Sequence, residues 1–433
     1  MAQFRKDTHQ YLNDGKTIFE VAMLADQYGN LVGAANPTGT AIDAFGRARI
    51  SNPLTLFDSS NRYRDNGLWA TSNSAGTTYE FNANSGLIEL NVTTSANAEI
   101  IRETTKVFAY QPGKSLLILN TFVFNEAKTN LRQRVGYFGA QNGYFLEQNG
   151  TDIYLVERSY VNGSVNEIKI SKSNWNMDTL DGTGPSLITL NLSKAQIFWI
   201  DIEWLGVGTV RCGFIINGKM IHCHSFHHAN INNLTYITTA SLPLRYEIKN
   251  IEVTSSNSSM KQICSSVVSE GGYELHGQQQ SVGTAITNAK TLTTAGTFYP
   301  VVSIRLKSTA MDAIVILSAV SLLGAGNNIN YNWCIIEDAT VTTVSWTDAG
   351  ANSSVEYTIS GTAITGGKIL ASGYFNSSTQ SSIPIQILRD ILFRFQLQRN
   401  SLANTVSTLS IAVAAGTDNS NIFGSLDWEE ISR

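Results

Sequence analysis

Residues 196–204 read QIFWIDIEW and residues 209–226 read TVRCGFIINGKMIHCHSF. Apolar residues in these stretches alternate with polar ones or form short runs, which is the pattern of short β-strands. Asn217-Gly218 stands between two of these runs, and Asn-Gly tolerates the positive φ angles of a type I′ hairpin turn. The two stretches therefore predict adjacent antiparallel strands joined by a tight turn.

The same pattern recurs along most of the chain. Similar runs are LIELNV (87–92), LLILNTFVF (116–124), YPVVSIRLKS (299–308) and AIVILSAVSLL (313–323). Asn-Gly turns also occur at 142–143, 149–150 and 162–163. Strands this short, with turns this frequent, predict an all-β chain built from antiparallel sandwiches or jelly rolls.

Three segments follow from the distribution of these runs. Residues 1–57 have no sustained helical or strand period, and we expect an N-terminal extended docking arm. Residues 58–276 form a large β-sandwich (jelly-roll) domain, and the polar run HGQQQSVG (276–283) marks its end. Residues 277–433 form a smaller C-terminal β-sandwich domain, in which Gln396 alternates with Phe395 and Leu397 and should face solvent.

Composition favours a protein that meets other protein surfaces. Only 15% of the 433 residues are charged, against roughly 25% in typical soluble domains. The formal net charge is -4 and no segment concentrates basic residues, so we predict no nucleic-acid surface. Asn, Ser, Thr and Gly supply the polarity instead, as expected of a β-rich shell or fibre protein.

The remaining composition gives the expected compartment. The four cysteines are too few and too scattered for a disulfide framework, and we expect them buried in a reducing compartment. The first residues lack the apolar core of a signal peptide, and no run of about 18 apolar residues predicts a membrane helix. We therefore expect synthesis in a cytoplasm and no membrane partner.

One strand resembles a catalytic motif. The string WIDIEW (199–204) resembles the E-x-D-x-E strand of laminarinase-type glycoside hydrolases, which need two carboxylates about 5–5.5 Å apart. Trp199 stands where that motif has its nucleophile, and an indole cannot attack a sugar. We therefore predict no enzyme activity and expect Asp201 and Glu203 to pair with arginines such as Arg211 or Arg245. A sugar-binding relic is the alternative.

Four histidines, His222, His224, His227 and His228, lie close together in the sequence. Alternation places His222 and His224 on one strand face and Cys223 on the other. Zinc takes three or four convergent ligands, so two strand histidines with a loop histidine such as His227 would approach a site. Ordinary histidines at a subunit contact are the favoured alternative, and we predict no metal and no cofactor.

Residues 43–59 read DAFGRARISNPLTLFDS and resemble the AFGRxRxSxPxTLFDS segment of a family of tailed-bacteriophage virion structural proteins. Further segments resemble the same family in the same order, over about residues 43–310. They are YQPGKS (110–115), RVGYFG (134–139), SYVNGSV (159–165), SNWNMDTLDGTGP (173–185), DIEWLGVGTVRCGF (201–214), LPLRYEI (242–248), ICSSVVSEGG (263–272) and VVSIRLKS (301–308).

This resemblance implies a virion structural protein that is made in the host cytoplasm. The leading role is a capsid decoration, head-fibre or spike component, and the alternative is a tail or baseplate receptor-binding protein that contacts a host glycan. The expected partners are two further copies of the chain in a homotrimer, and the major capsid protein or other virion proteins.

Two sets of site residues follow. Arginine and aromatic residues are enriched at interface hot spots, so the signature segment predicts docking through Phe45, Arg47, Arg49, Leu56 and Phe57. The alternative is that this segment is the first strand of the protein's own sandwich. For glycan contact, the expected stacking platforms are Trp69, Trp175 and Trp204.

Overall fold

The computed structural model describes residues 52–274, 276–378 and 395–431. Strands dominate these ranges, and all of their pairings are antiparallel. A single-turn 3-10 helix covers Lys172–Asn174. No helix in the described ranges is long and apolar enough to cross a membrane. The predicted all-β fold is confirmed.

The first sandwich is built from strands β1 to β15. Their bounds are β1 Leu54–Ser60, β2 Trp69–Asn73, β3 Thr77–Asn82, β4 Leu87–Val92, β5 Glu99–Thr104, β6 Leu116–Val123, β7 Leu131–Phe138, β8 Gly143–Asn149, β9 Asp152–Ser159, β10 Asn166–Ser171, β11 Gln196–Ile202, β12 Val210–Ile216, β13 Lys219–Phe226, β14 Leu244–Asn250 and β15 Ser258–Ser269.

Two sheets enclose the core of this sandwich. One sheet has the order β13-β12-β11-β6-β15-β4-β3, with β1 also paired to β15, and the other has the order β10-β9-β8-β7-β14-β5-β2. Alternate residues of a strand face opposite sides of its sheet. In β6, for example, Leu116, Ile118, Asn120 and Phe122 are buried, while the residues that alternate with them are partly exposed.

The second sandwich is built from strands β16 to β29. Their bounds are β16 Gln278–Gly283, β17 Lys290–Leu292, β18 Tyr299–Leu306, β19 Ile314–Ala325, β20 Asn330–Glu337, β21 Thr340–Thr342, β22 Thr347–Asp348, β23 Val355–Thr358, β24 Ala363–Thr365, β25 Lys368–Asn376, β26 Arg399–Asn400, β27 Thr405–Val406, β28 Thr408–Ala415 and β29 Ser420–Ile431.

A separate core fills the second sandwich. Its main sheet has the order β22-β23-β18-β28-β20-β25, and it faces a sheet in which β29 pairs with β16, β17 and β19. The core between them is apolar and includes Ile304, Ile411 and the fully buried Trp428. Two short two-stranded pairings, β21 with β24 and β26 with β27, complete the described strands.

The Asn217-Gly218 turn joins β12 to β13 as predicted. Both residues have positive φ, +53° and +74°, as a type I′ turn requires. At Asn149-Gly150, between β8 and β9, only the glycine has a positive φ.

The start of the first sandwich corrects the predicted end of the arm. Strand β1 begins at Leu54 and pairs with β15 from Leu54 opposite Ser269 to Ser60 opposite Cys264. Residues 54–57 therefore belong to the sheet and not to an arm that ends at residue 57. The rest of the predicted arm, residues 1–51, lies outside the described residues.

The two sandwiches pack against each other within one compact unit that begins at Pro53. Val107 and Ala109 of the first form an apolar cluster with Ile314 and Ile316 of the second. Gln396 was expected to face solvent, but it is buried here, and its Nε2 donates to the Val107 carbonyl at 2.9 Å. The apolar surfaces where the two sandwiches meet bury Gln396, although the alternation of its own segment predicted that it faces solvent.

Candidate functional site

The WIDIEW string does not place two carboxylates in a cleft. Trp199 is buried, and its indole packs closely on Gly213. A Cβ atom added to Gly213 would lie 2.7 Å from the indole. The Asp201 carboxylate forms an ion pair with Arg211, which stands opposite it on β12. Strand β11 ends at Ile202, so Glu203 lies beyond the sheet and is exposed. The predicted pairing of Asp201 with Arg211 is confirmed.

A β-bulge separates the clustered histidines. Cys212 pairs with His224 and Gly213 with His222, so Cys223 is an extra residue in β13. His224 and Cys223 are both buried, whereas His222 lies 5.8 Å from Trp199, ring centre to ring centre, on the other side of the sheet. The prediction that His222 and His224 share a face is wrong, because the bulge changes the alternation.

The bulge also leaves the histidines without a common ligand geometry. His227 is exposed, and its Nδ1 lies 3.3 Å from Thr209 Oγ1. Burial, together with His222 and His227, lowers the pKa of His224 from 6.5 to about 4. Within the described residues, no three His, Cys, Asp or Glu side chains are placed to hold a metal ion.

His228 belongs to a buried polar network that the sequence pattern does not reveal. Its Nε2 lies 2.7 Å from Glu157 Oε2 and its Nδ1 lies 2.6 Å from the Gly208 carbonyl oxygen. The Tyr144 hydroxyl donates to the same Glu157 oxygen at 2.6 Å, and the Tyr236 ring stacks on His228 at 3.8 Å. Tyr144, Glu157 and His228 satisfy one another's hydrogen bonds, whereas the buried Tyr236 hydroxyl has no hydrogen-bond partner and contributes its ring alone. The network therefore lies within the core of the sandwich.

Arginines and glutamates form a second network on the outer face of the sheet that contains β7. Arg134 donates to Glu147 at 2.6 Å and to Glu247 at 3.3 Å. Burial alone would raise the pKa of Glu247, but Arg134 and the arginines around it hold it below its usual range. Arg134 and Arg158 each lie 5.0 Å from the centre of the Phe145 ring.

Arg134 and Arg158 both direct their guanidinium groups at carboxylates of this second network. The remaining Arg134 nitrogen, Nη2, faces Glu167 at 3.5 Å, and Arg158 donates to the same carboxylate at 2.7 Å. Charged pairs in register on neighbouring strands would be visible in the sequence only if the strand order were already known. The face is therefore part of the scaffold.

The predicted tryptophan platforms are mostly unavailable. Trp69 is buried, and its Nε1 donates to Ser59 Oγ at 2.9 Å. Trp175 is also buried, and its Nε1 donates to the Ile170 carbonyl at 3.3 Å. The predicted sugar-stacking role of these two residues is wrong because neither indole presents a face to solvent. Trp204 is half-buried and meets Tyr110 edge to face at 6.0 Å.

The predicted docking segment divides into two parts. The Phe57 ring is buried in the first core, 4.9 Å from the Phe108 ring, and Leu56 packs against the same core. Their predicted docking role is corrected by this packing, since both side chains serve their own sandwich. Phe45, Arg47 and Arg49 lie outside the described residues.

An open cleft lies at one edge of the first sandwich. The turn between β8 and β9, the end of β10 and the 3-10 helix form its walls, and its volume is about 460 Å³. Burial lowers the pKa of Lys172, an effect that Asp181 opposes. The lining is polar apart from an aromatic ring and one aliphatic side chain, and it includes Asp152, Tyr154, Ser171, Lys172, Ser173 and Asp181.

The composition of this cleft suits a ligand rich in hydroxyl groups. The Tyr154 hydroxyl lies 3.4 Å from Asp152 Oδ2, and the Ser171 and Ser173 hydroxyls lie 3.2 Å apart. Two hydrogen bonds from Thr183 lower the pKa of Asp181 to about 2, which keeps it ionised. Sequence reasoning missed this cleft, because its residues come from three short segments with no motif of their own.

Comparisons with known proteins give no family. No family model matches the chain, and no curated protein matches it. Similar solved structures include a protein of unknown function from Shewanella oneidensis, with 10% identity, a TM-score of 0.34, and 53% of this chain and 91% of that chain covered.

Two other similar structures are a glucan-related protein and a module of a phage protein. A Bacteroides ovatus mixed-linkage glucan GH16 protein has 8% identity and a TM-score of 0.33, covering 49% of this chain and 99% of that one. The CBM2 module of the evolved Dit of Lactobacillus casei phage J-1 has 6% identity and a TM-score of 0.34, covering 52% and 100%. These likenesses carry no argument about function.

Proposed function

We propose that this chain is a structural component of a tailed-bacteriophage particle, with a capsid decoration, head-fibre or spike role as the leading assignment. The observation that carries this proposal is the ordered set of sequence segments resembling virion structural proteins over about residues 43–310. Nine such segments in one order are far more specific than any single motif.

Several of these segments lie in paired strands of the first sandwich. TLFDS (55–59) lies in β1 and pairs with β15, which contains most of ICSSVVSEGG (263–272). RVGYFG (134–139) lies in β7 and pairs with β14, which contains LRYEI (244–248). The segments that carry the resemblance therefore include paired strands of both sheets of the first sandwich.

Attachment is assigned to residues 1–51, with Phe45, Arg47 and Arg49 as docking residues. We expect a homotrimer, because a charge-poor surface rich in Asn, Ser and Thr suits large protein contacts. Light scattering of the full chain tests this state, and a strict monomer at micromolar concentration would contradict it.

The proposed role is not enzymatic. Trp199 is buried, Asp201 is paired with Arg211, and Glu203 lies outside the strand, so the glycosidase-like string has no carboxylate pair. Assays on β-glucans and bacterial polysaccharides should detect no turnover. Hydrolysis that Glu203→Gln abolishes would overturn this part of the proposal.

Incorporation into particles tests the attachment role. Arg47→Ala combined with Arg49→Ala should lower the copy number per particle without changing the thermal unfolding of the isolated chain. The double change Arg62→Ala with Arg64→Ala is a matched control on the first sandwich. Equal incorporation of both variants would contradict a docking role for Arg47 and Arg49.

A tail or baseplate receptor-binding protein is the second candidate function. The open polar cleft between β9, β10 and the 3-10 helix favours it, because a purely structural component has no need of such a cleft. Labelling of particles with an antibody to the chain separates the two roles, since decoration places the label on the head and receptor binding places it at the tail.

A further inference from the structure

We propose that the cleft around Tyr154 binds a neutral oligosaccharide, with the tyrosine ring as its stacking surface. This inference rests on the receptor-binding candidate above and names its site and ligand class. In this proposal the partly exposed Tyr154 has the sugar-stacking role that the sequence predicted for Trp69 and Trp175, which are buried.

Strand register brings the key residues together. Tyr154 pairs with Ser171 across β9 and β10, so both side chains leave the same face of the sheet at its edge. Tyr154 is half-buried, since part of its ring packs against the cluster of Phe138, Phe145 and Val156. This packing fixes the ring in place before a ligand arrives, which lowers the entropic cost of binding.

The other polar groups of the cleft lie around Tyr154 and Ser171. Lys172 directly follows Ser171 and begins the 3-10 helix, and Asp181 lines the same cleft. Asp152, at the start of β9, is exposed beside the Tyr154 hydroxyl. Carboxylates only accept hydrogen bonds, ammonium groups only donate, and serine hydroxyls do both.

Sugars match this set of groups. Each sugar hydroxyl both donates and accepts, so neighbouring hydroxyls can satisfy a carboxylate and an ammonium group at once. The apolar face of a pyranose can lie on the tyrosine ring. Sites for apolar small molecules are lined mainly by hydrophobic side chains, and this cleft is not.

The charges of the lining select against acidic sugars. The lining contributes the carboxylates of Asp152 and Asp181 and the ammonium group of Lys172. A second ammonium group, Lys169 Nζ, lies 5.9 Å from the centre of the Tyr154 ring, but Glu147 and Glu167 pair with it, so the excess charge around the ring stays negative. A uronate or sialate would add a further negative charge beside them, and like charges at a binding site suppress the wrong partner. A neutral chain of hexoses or N-acetylhexosamines meets no such penalty.

Calorimetric titration of the full chain with neutral oligosaccharides and their uronate-containing counterparts tests the inference. We expect binding of at least one neutral oligosaccharide. Tyr154→Ala should weaken that binding by about tenfold, whereas Tyr154→Phe, which keeps the ring, should change it by less than about threefold. Tyr63→Ala is the matched control, because Tyr63 is 80% exposed and does not line the cleft.

A second variant guards against loss of packing in Tyr154→Ala. Asp152 is exposed, so Asp152→Asn should leave thermal unfolding unchanged while weakening binding by about tenfold, as expected for a charge-assisted hydrogen bond. The inference is overturned if no neutral oligosaccharide binds, or if folded Tyr154→Ala and Asp152→Asn both bind like the unmodified chain. Incorporation of the chain into particles is measured separately. A failure of oligosaccharide binding can therefore be distinguished from a failure of the proposed structural role.

Discussion

Nε2 of His228 lies 2.7 Å from Oε2 of Glu157 inside the first sandwich, although 71 positions separate the two residues. Nδ1 of His228 lies 2.6 Å from the Gly208 carbonyl oxygen, so both ring nitrogens face oxygen acceptors. The contact ties β9 to the loop that follows β13 and closes one end of the sandwich.

His228→Gln should lower the free energy of unfolding by about 1–3 kcal/mol, because it removes the imidazole from the buried Glu157 carboxylate and leaves the Tyr144 hydroxyl as its donor. The adjacent His227 is exposed, so His227→Gln is a matched control and should change stability by less than about 0.5 kcal/mol. Urea unfolding of both variants measures the difference. Similar midpoints for the two variants would contradict a stabilising role for the network.

Gly136 of β7 lies directly against β8. A Cβ at this position would lie 2.6 Å from the Phe145 Cα and clash with the Tyr144 carbonyl oxygen. Gly136→Ala should therefore destabilise the chain by about 1–3 kcal/mol or more, since neighbouring backbone atoms must move.

Gly139 is the control for this substitution. A Cβ there would meet only Pro243, at 3.7 Å, which is an ordinary contact. Gly139→Ala should change the unfolding free energy by less than about 0.5 kcal/mol. If Gly136→Ala were equally well tolerated, the packing of β7 on β8 described here would be wrong.

Stability should depend on pH through His224. Burial, reinforced by His222 and His227, lowers its pKa from 6.5 to about 4, so between these values the unfolded chain binds a proton that the folded chain does not. The free energy of unfolding that depends on a neutral His224 is therefore fully present above about pH 6.5 and is lost as the pH falls toward 4. Thermal unfolding between pH 7 and 4.5 should show a shallower decline for His224→Gln.

His276 provides the comparison for this pH effect, since its side chain is 70% exposed. His276→Gln should lose thermal stability with falling pH as steeply as the unmodified chain does. An unchanged decline in His224→Gln would exclude His224 as its source.

Two truncations test where the sandwich begins. Removal of residues 1–51 should leave a folded chain, because β1 starts at Leu54. Removal of residues 1–60 also removes the buried Phe57 ring and should cost about 3–5 kcal/mol more, the usual range for losing a buried phenylalanine. Equal melting temperatures for the two truncations would contradict the pairing of β1 with β15.

Alternation and turn residues predicted the local structure of this chain well. Gln196–Ile202 is a strand with Phe198 and Ile200 in the core, and Asn217-Gly218 is the turn that its residue types predicted. These features depend on a few neighbouring residues, so they can be read directly from a short stretch of sequence.

Long-range contacts could not be predicted in the same way. Burial of Trp69 depends on Phe57 and Tyr246, which reach it from other strands. The bulge at Cys223 inserts one residue into β13. His222 and His224 therefore lie on opposite faces of the sheet, although alternation alone places them on the same face. The cleft at Tyr154 exists only because β9, β10 and the following loop meet at one edge. Each of these features depends on strand pairing, which the local pattern does not specify.

The central claim is that this chain is part of a tailed-phage particle, and cryo-electron microscopy of purified particles tests it most directly. Particles should be taken from a host in which this chain is expressed together with the phage genes that accompany it. The account predicts density for two all-β sandwiches, repeated around the head or at the tail and matching residues 52–274, 276–378 and 395–431. Intact, infectious particles without this density, and without peptides of the chain by mass spectrometry, would contradict the claim.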